Sequence, residues 1–279
     1  MKMICAVLLL ACAPLAFAAD RPDPAYERVL IPVFTSGPGA QGAQWETAVT
    51  IASTAERPES LARRALLREE DWFCDPTCAD RVLIPDMGLH LPRSFEHPAG
   101  LMLWVPRSMD RNDLHVSIRV RDAARNAGSA GTFVPLVRED DLSNGKMVLL
   151  DVPVRGGFRT GLRLYDLYLD QSDFYIEIYD MQDYRNGDGE PLVSTFVEVR
   201  RDEPESPENL QYPQRPAFAF TGDLQVAYPQ LANAGSESVA IVLWGLHPVV
   251  SPPAFERRFY ALASVTNDAT NEVTIIGPR

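Results

Sequence analysis

His115-Val116-Ser117-Ile118-Arg119-Val120-Arg121 decides the fold class. Val116, Ile118 and Val120 fall on one side of an extended chain and Ser117, Arg119 and Arg121 on the other, the period of a strand with one dry and one wet face. Phe174-Tyr175-Ile176-Glu177-Ile178-Tyr179 repeats the pattern, and residues 193–199 turn Val193, Thr195, Val197 and Val199 to one face. Strands of this kind belong to antiparallel sheets. Over 162–169 the apolar phase flips from Leu162 and Leu164 to Leu167 and Leu169, which predicts a bulge or bend near Tyr165-Asp166. Further strands are expected over 29–34, 45–52, 101–105, 132–137, 147–152, 218–226, 239–246, 258–265 and 272–276. Only 60–70 has helical spacing, through Leu61, Ala65 and Leu66, and it is short. With 23 Pro against 17 Gly, punctuation favours short strands over long helices, and the expected class is all-β.

The strand pattern occurs twice. Val29-Leu30-Ile31-Pro32-Val33, then a loop and Trp45-Glu46-Thr47-Ala48-Val49-Thr50, parallels Val148-Leu149-Leu150-Asp151-Val152-Pro153-Val154, then Phe158-Arg159-Thr160-Gly161-Leu162-Arg163. Each half closes on a hairpin-like pair, the second around Asn267-Asp268. The polar stretch Glu139-Asp140-Asp141-Leu142-Ser143-Asn144-Gly145 reads as the join. The expectation is two tandem antiparallel β-sandwich domains, 24–141 and 142–279, behind a signal peptide at 1–19. This strand pattern, with Arg119-Val120-Arg121-Asp122 and the closing Ser264-Val265-Thr266-Asn267-Asp268, resembles the immunoglobulin-like β-sandwich modules of uncharacterised secreted bacterial proteins. The resemblance implies an Ig-like fold and no catalytic residues. The Cys…Trp…Cys arrangement of antibody domains is missing.

Lys2, the apolar run from Ile4 to Leu10 and Ala16-Phe17-Ala18 have the order of a secretory signal with its cleavage site. Leu9-Leu10-Ala11-Cys12 also resembles a lipobox, so lipidation at Cys12 is the minor alternative. Cleavage after Ala19 removes one Lys and no acid, moving the formal net charge from −12 to −13 and leaving Lys146 as the single lysine. So acidic a chain, with no basic run, is a poor partner for nucleic acid or anionic lipid, and no later stretch is apolar enough for a transmembrane segment. Of the four cysteines only Cys74 and Cys78 survive cleavage, and in an exported chain two such residues pair. Extended, C-D-P-T-C would hold its Cα atoms roughly 13 Å apart, against about 4.4–6.8 Å in a disulfide, so the segment must turn at Asp75-Pro76.

Gly37-Pro38-Gly39-Ala40-Gln41-Gly42 matches a dinucleotide fingerprint in letters only, because another strand follows where a helix is required. Asp180, Asp183, Asp188 and Glu190 gather oxygen ligands suited to Ca²⁺ around Asn186-Gly187-Asp188-Gly189, although the same residues serve equally as the connection of a hairpin. His90, His97, His115 and His247 lack a nucleophile setting, and Gly128-Ser129-Ala130-Gly131 is no serine elbow. Glu69-Glu70-Asp71 and Glu139-Asp140-Asp141 are acids by type for a glycan hydrolase. Trp104 and Trp244 lie in apolar runs and read as core, whereas Trp72 is the tryptophan expected to be exposed. Tyr165, Tyr168, Tyr175 and Tyr179 alternate with acids, which suits an outward contact face or packing between the halves. The functional expectation is an exported, non-enzymatic binding or structural module with Trp72, Tyr175 and Tyr179 as contacts. An extracellular glycan hydrolase and a carbohydrate-binding module are the alternatives.

Overall fold

In the computed structural model the alternating stretches are strands; the residues described are 25–39, 42–54, 59–60, 82–83, 89–90, 100–124, 131–168, 171–187, 189–201, 216–246 and 258–279. The first half carries Tyr26–Ile31 (β1), Ser36–Pro38 (β2), Gln44–Ser53 (β3), Glu59–Ser60 (β4), Val82–Leu83 (β5), Leu89–His90 (β6), Leu101–Pro106 (β7), Leu114–Asp122 (β8), Thr132–Phe133 (β9) and Val137–Arg138 (β10). The second carries Lys146–Pro153 (β11), Phe158–Asp166 (β12), Gln171–Asp180 (β13), Met181–Asn186 (α1), Val193–Arg200 (β14), Ala217–Thr221 (β15), Leu224–Ala227 (α2), Ser238–Gly245 (β16), Phe259–Asn267 (β17) and Val273–Ile276 (β18). Every pairing among these strands is antiparallel.

The second half is one path, β11-β16-β13-β14-β15-β12-β17-β18. Period-two burial curls it around an apolar interior that includes Leu149, Leu164, Ile176, Val199, Ile241 and Ala261. Its ends approach each other, and the Arg279 N–H beyond β18 donates to the Val148 carbonyl on β11 at 3.1 Å. The sheet is thus nearly closed and barrel-like.

Val29 to Phe34 are all buried, which a strand with one wet face cannot produce. In the sheet β10-β1-β7 alternate residues serve different cores. Leu30, Met102 and Val137 join the barrel's cluster, while Val29, Ile31 and Leu103 join the cluster that covers Ile51 and Ile118 of the sheet β2-β3-β8-β9. This small sheet is therefore a layer shared by both halves.

Charged and polar contacts line the same junction. Arg28 is fully buried, its guanidinium 4.7 Å from the Trp104 ring centroid and 4.2 Å from that of Tyr168, with Nη1 donating to the Leu167 carbonyl. Glu139 accepts from the Arg28 N–H (3.1 Å), the Arg107 guanidinium and the Tyr168 hydroxyl (3.3 Å). Tyr165 donates its hydroxyl hydrogen to the Pro32 carbonyl. At the far side, Thr132 Oγ1 donates to the Val273 carbonyl at 2.6 Å and Asn271 Nδ2 to Asp122 Oδ2 at 3.2 Å.

The pairing order of the first half recurs in the second. β6-β3-β8-β9 matches β15-β12-β17-β18, and β1-β7 matches β11-β16. Trp45 stands opposite Asp122 as Phe158 stands opposite Asn267. Two positions on in each strand, a threonine hydroxyl bonds back to the preceding segment: Thr47 Oγ1 to the Thr35 carbonyl (2.9 Å) and Thr160 Oγ1 to that of Pro153 (2.5 Å).

Several local expectations change. Of the bulge or bend expected near Tyr165-Asp166 the structure has the bend, at Leu167-Tyr168 just past β12; β12 itself pairs without a register shift with both β15 and β17 and is buried on both faces from Thr160 on. The irregularity lies in β11, between Leu149 and Val152, where Asp151 has φ 55°. The strand expected over 132–137 is two short ones in different sheets, since Val134-Pro135-Leu136 carries the chain across. The strand expected over 218–226 ends at Thr221, because Asp223 caps α2 by accepting the Gln225 N–H at 2.9 Å. The glycine string joins β2 to β3, strand to strand. Of the helix expected over 60–70, Ser60 lies in β4 and the rest is outside the described residues, as are the signal at 1–19, Cys74 and Cys78.

Candidate functional site

Because Phe174, Ile176 and Ile178 point into the barrel, Asp173, Tyr175, Glu177 and Tyr179 must point out. The registers then set a row across four adjacent strands. Lys146 on β11 faces Trp244 on β16, Trp244 faces Tyr175 on β13, and Tyr175 faces Phe196 on β14. Ring centroids are 5.7 Å apart for Tyr175–Trp244 and 5.0 Å for Tyr175–Phe196, and the Lys146 ammonium lies 5.6 Å from the Trp244 centroid. Direct cross-strand aromatic pairs of this kind stabilise a sheet by about 0.2–1 kcal/mol each. That contribution does not require exposure, and Phe196 is 66% exposed.

A polar row and a mixed row border the aromatic one. Toward the barrel end stand Asp173 and its cross-strand partner Glu198, with exposed Leu246 beside them. Glu198 Oε1 accepts from Arg200 (2.7 Å) and from the Gln171 amide. On the other side Val148, Val242, Glu177 and Ser194 stand in register. Tyr179 donates to Glu177 Oε2 at 2.5 Å, and that bond, helped by burial, pushes the phenol up to about 12. Lys146 also lines a cleft of ≈ 630 Å³ that runs past Leu136, Asp141 and Tyr260 to Arg279. A second outward aromatic pair, Phe218 and Phe220, stacks at 6.3 Å under the Arg163 guanidinium.

Of the contacts expected from sequence, Tyr175 and Tyr179 lie on this face, and Trp72 lies outside the described residues. Trp244 and Phe196 were missed as contacts. Trp104 is core, fully buried, whereas Trp244 is half-buried and outward, because the apolar run of β16 is covered on both faces only as far as Leu243. Tyr165 and Tyr168 do not join the face; they are buried at the junction, where burial and the Glu139 carboxylate push Tyr168 up to about 12.

Asp180 is buried and committed to backbone: it accepts the Gln182 N–H (2.9 Å) at the start of α1 and the Ser236 N–H (2.7 Å). Burial pushes its carboxyl up, and these donors more than reverse that, holding it below the usual range. Asp183 and Glu190 are exposed, and Asp188 lies outside the described residues. Among the described residues, no three His, Cys, Asp or Glu side chains come together as a metal cage. Glu139 and Asp140 are bound by Arg107 and Arg111, and His97 and His247 lie outside the described residues.

No helix among the described residues is long and apolar enough to cross a membrane. No protein family, curated protein or solved structure matches the chain.

Proposed function

We propose that this chain is an exported, non-enzymatic protein-binding module whose contact surface is the outward face of β11-β16-β13-β14. The observation that carries this reading is the cross-strand row Lys146–Trp244–Tyr175–Phe196, which ends in a phenylalanine 66% exposed. Aromatics within a polar rim are a composition that protein interfaces favour, and the stacking along the row stabilises the sheet without requiring Phe196 to be exposed. Export through the signal at 1–19, a Cys74–Cys78 disulfide and two tandem Ig-like repeats at 24–141 and 142–279 belong to the same reading. The near-closed barrel supports the last of these in so far as its opposing walls act as the two layers of a sandwich.

The test is chemical cross-linking of the mature chain, residues 20–279, to the producer's envelope fraction, run beside Phe196→Ser and Trp244→Ala. The expected result is a protein retained by the native chain and lost with either substitution. Retention indifferent to both substitutions would overturn the assignment of the face. Binding of an oligosaccharide panel abolished by Trp244→Ala would turn the reading into a carbohydrate-binding module.

A further inference from the structure

The two halves carry the same cation–tryptophan pair at the same register. Arg28 faces Trp104 across β1-β7, and Lys146 faces Trp244 across β11-β16. The next three pairs also correspond: Val29–Leu103, Leu30–Met102 and Ile31–Leu101 in the first half, Met147–Leu243, Val148–Val242 and Leu149–Ile241 in the second. Yet one pair is covered and the other open. Arg28 and Trp104 are each fully buried, beneath the Tyr168 ring and the Leu167 carbonyl of the other half. Lys146 is exposed and Trp244 half-buried, and the Lys146 ammonium meets the Trp244 ring but no hydrogen-bond acceptor among the described residues.

We infer that the Lys146–Trp244 site docks a protein segment presenting an aromatic ring next to a backbone carbonyl, in the manner of Leu167-Tyr168 on Arg28–Trp104. This rests on the reading of the outward face as a contact surface and names its occupant. The ring presents its face to the ammonium, and the carbonyl accepts a hydrogen bond from Lys146 Nζ. The occupant belongs to another protein. In a second copy of this chain Leu167 and Tyr168 are already buried at its own junction. The corresponding positions of its first half, counted from Trp45 opposite Asp122 and Phe158 opposite Asn267, are Thr54-Ala55, which carry no ring.

The probe is a synthetic peptide of residues 163–170, RLYDLYLD, titrated by calorimetry into the intact mature chain, with a scrambled peptide as reference. The expected result is saturable binding, weakened roughly tenfold or more by Lys146→Met or Trp244→Ala and by alanine at the Tyr168 position of the peptide. Lys146 is exposed, so Lys146→Met leaves the fold intact, and its thermal melt is the control. Binding no tighter than the scrambled peptide, or unmoved by both substitutions, overturns the inference. If the envelope partner is nonetheless lost with Phe196→Ser, the face binds by other chemistry and only this inference falls. A mature-chain dimer in sedimentation velocity that Lys146→Met dissolves would overturn it in favour of a second copy.

Discussion

At the residue scale, Arg28 is a charge with no exposure to water. A guanidinium with no exposure is tolerated only with partners, and here Trp104, Tyr168 and the Leu167 carbonyl supply them. Arg28→Met keeps the volume and removes the charge, leaving that carbonyl without its donor. The expected cost is about 2–3 kcal/mol, read as a lower urea midpoint; an unmoved midpoint would reduce Arg28 to filler. Tyr168 adds a pH dependence. Its phenol titrates near 10.0 in the unfolded chain and about 12 in the folded one. Between those values the unfolded state has released a proton that the folded state keeps, so its contribution is complete below pH 10 and is lost as pH rises toward 12. Thermal melts across that window should fall more steeply for the native chain than for Tyr168→Phe. These roles were only half legible: Tyr-and-acid alternation announced amphipathic rings, but nothing local separates Tyr168, which caps a buried cation, from Tyr175, which faces out. The separation comes from which wall of the barrel the first half covers.

At the scale of elements, alternation located β8, β13 and β14 because each has one wet and one dry face. It failed where a strand is dry on both. Residues 160–166 are buried on both faces, and the phase flip from Leu164 to Leu167 marks the bend that follows the strand, not a bulge within it. The real bulge in β11 leaves no apolar signature; it is marked by Asp151 at φ 55°, held by Arg185 of α1 at 2.6 Å. It also hid the true repeat register. Laying Val29 over Val148 is one residue out, and a one-residue slip exchanges faces; the pairings set Arg28 over Lys146 instead. The bulge gives an element-scale prediction. Both partners of the Arg185–Asp151 pair are largely exposed, so the pair contributes little, whereas the left-handed backbone disfavours any side chain. Asp151→Gly is expected to leave stability unchanged or raise it by up to about 1 kcal/mol, and Asp151→Val to lower it by about 1–2 kcal/mol. Denaturant midpoints showing the opposite order would mean that the ion pair fixes the bulge.

For the molecule as a whole, the duplicated pairing order and the shared sheet pull in different directions. Repeats with the same strand order suggest separable units, yet β10-β1-β7 lends Leu30, Met102 and Val137 to the barrel's core and keeps Val29, Ile31 and Leu103 for its own. Fully burying an aliphatic side chain is worth about 1.5–3 kcal/mol, so the three lent residues carry about 5 kcal/mol or more. A domain's whole stability is about 5–15 kcal/mol. The same cut would strip Tyr165 of the Pro32 carbonyl and leave the Tyr168 ring without its cation. The intact chain is therefore expected to melt in a single transition, and residues 142–279 expressed alone to melt well below it or to lack a cooperative transition. Calorimetry of both chains decides the matter: a fragment melting at the temperature of the intact chain would mean that the shared sheet binds the halves without stabilising them. Cooperative loss would instead make the junction the pattern for how this fold covers a cation–tryptophan pair, which is the premise for expecting a partner on Lys146 and Trp244.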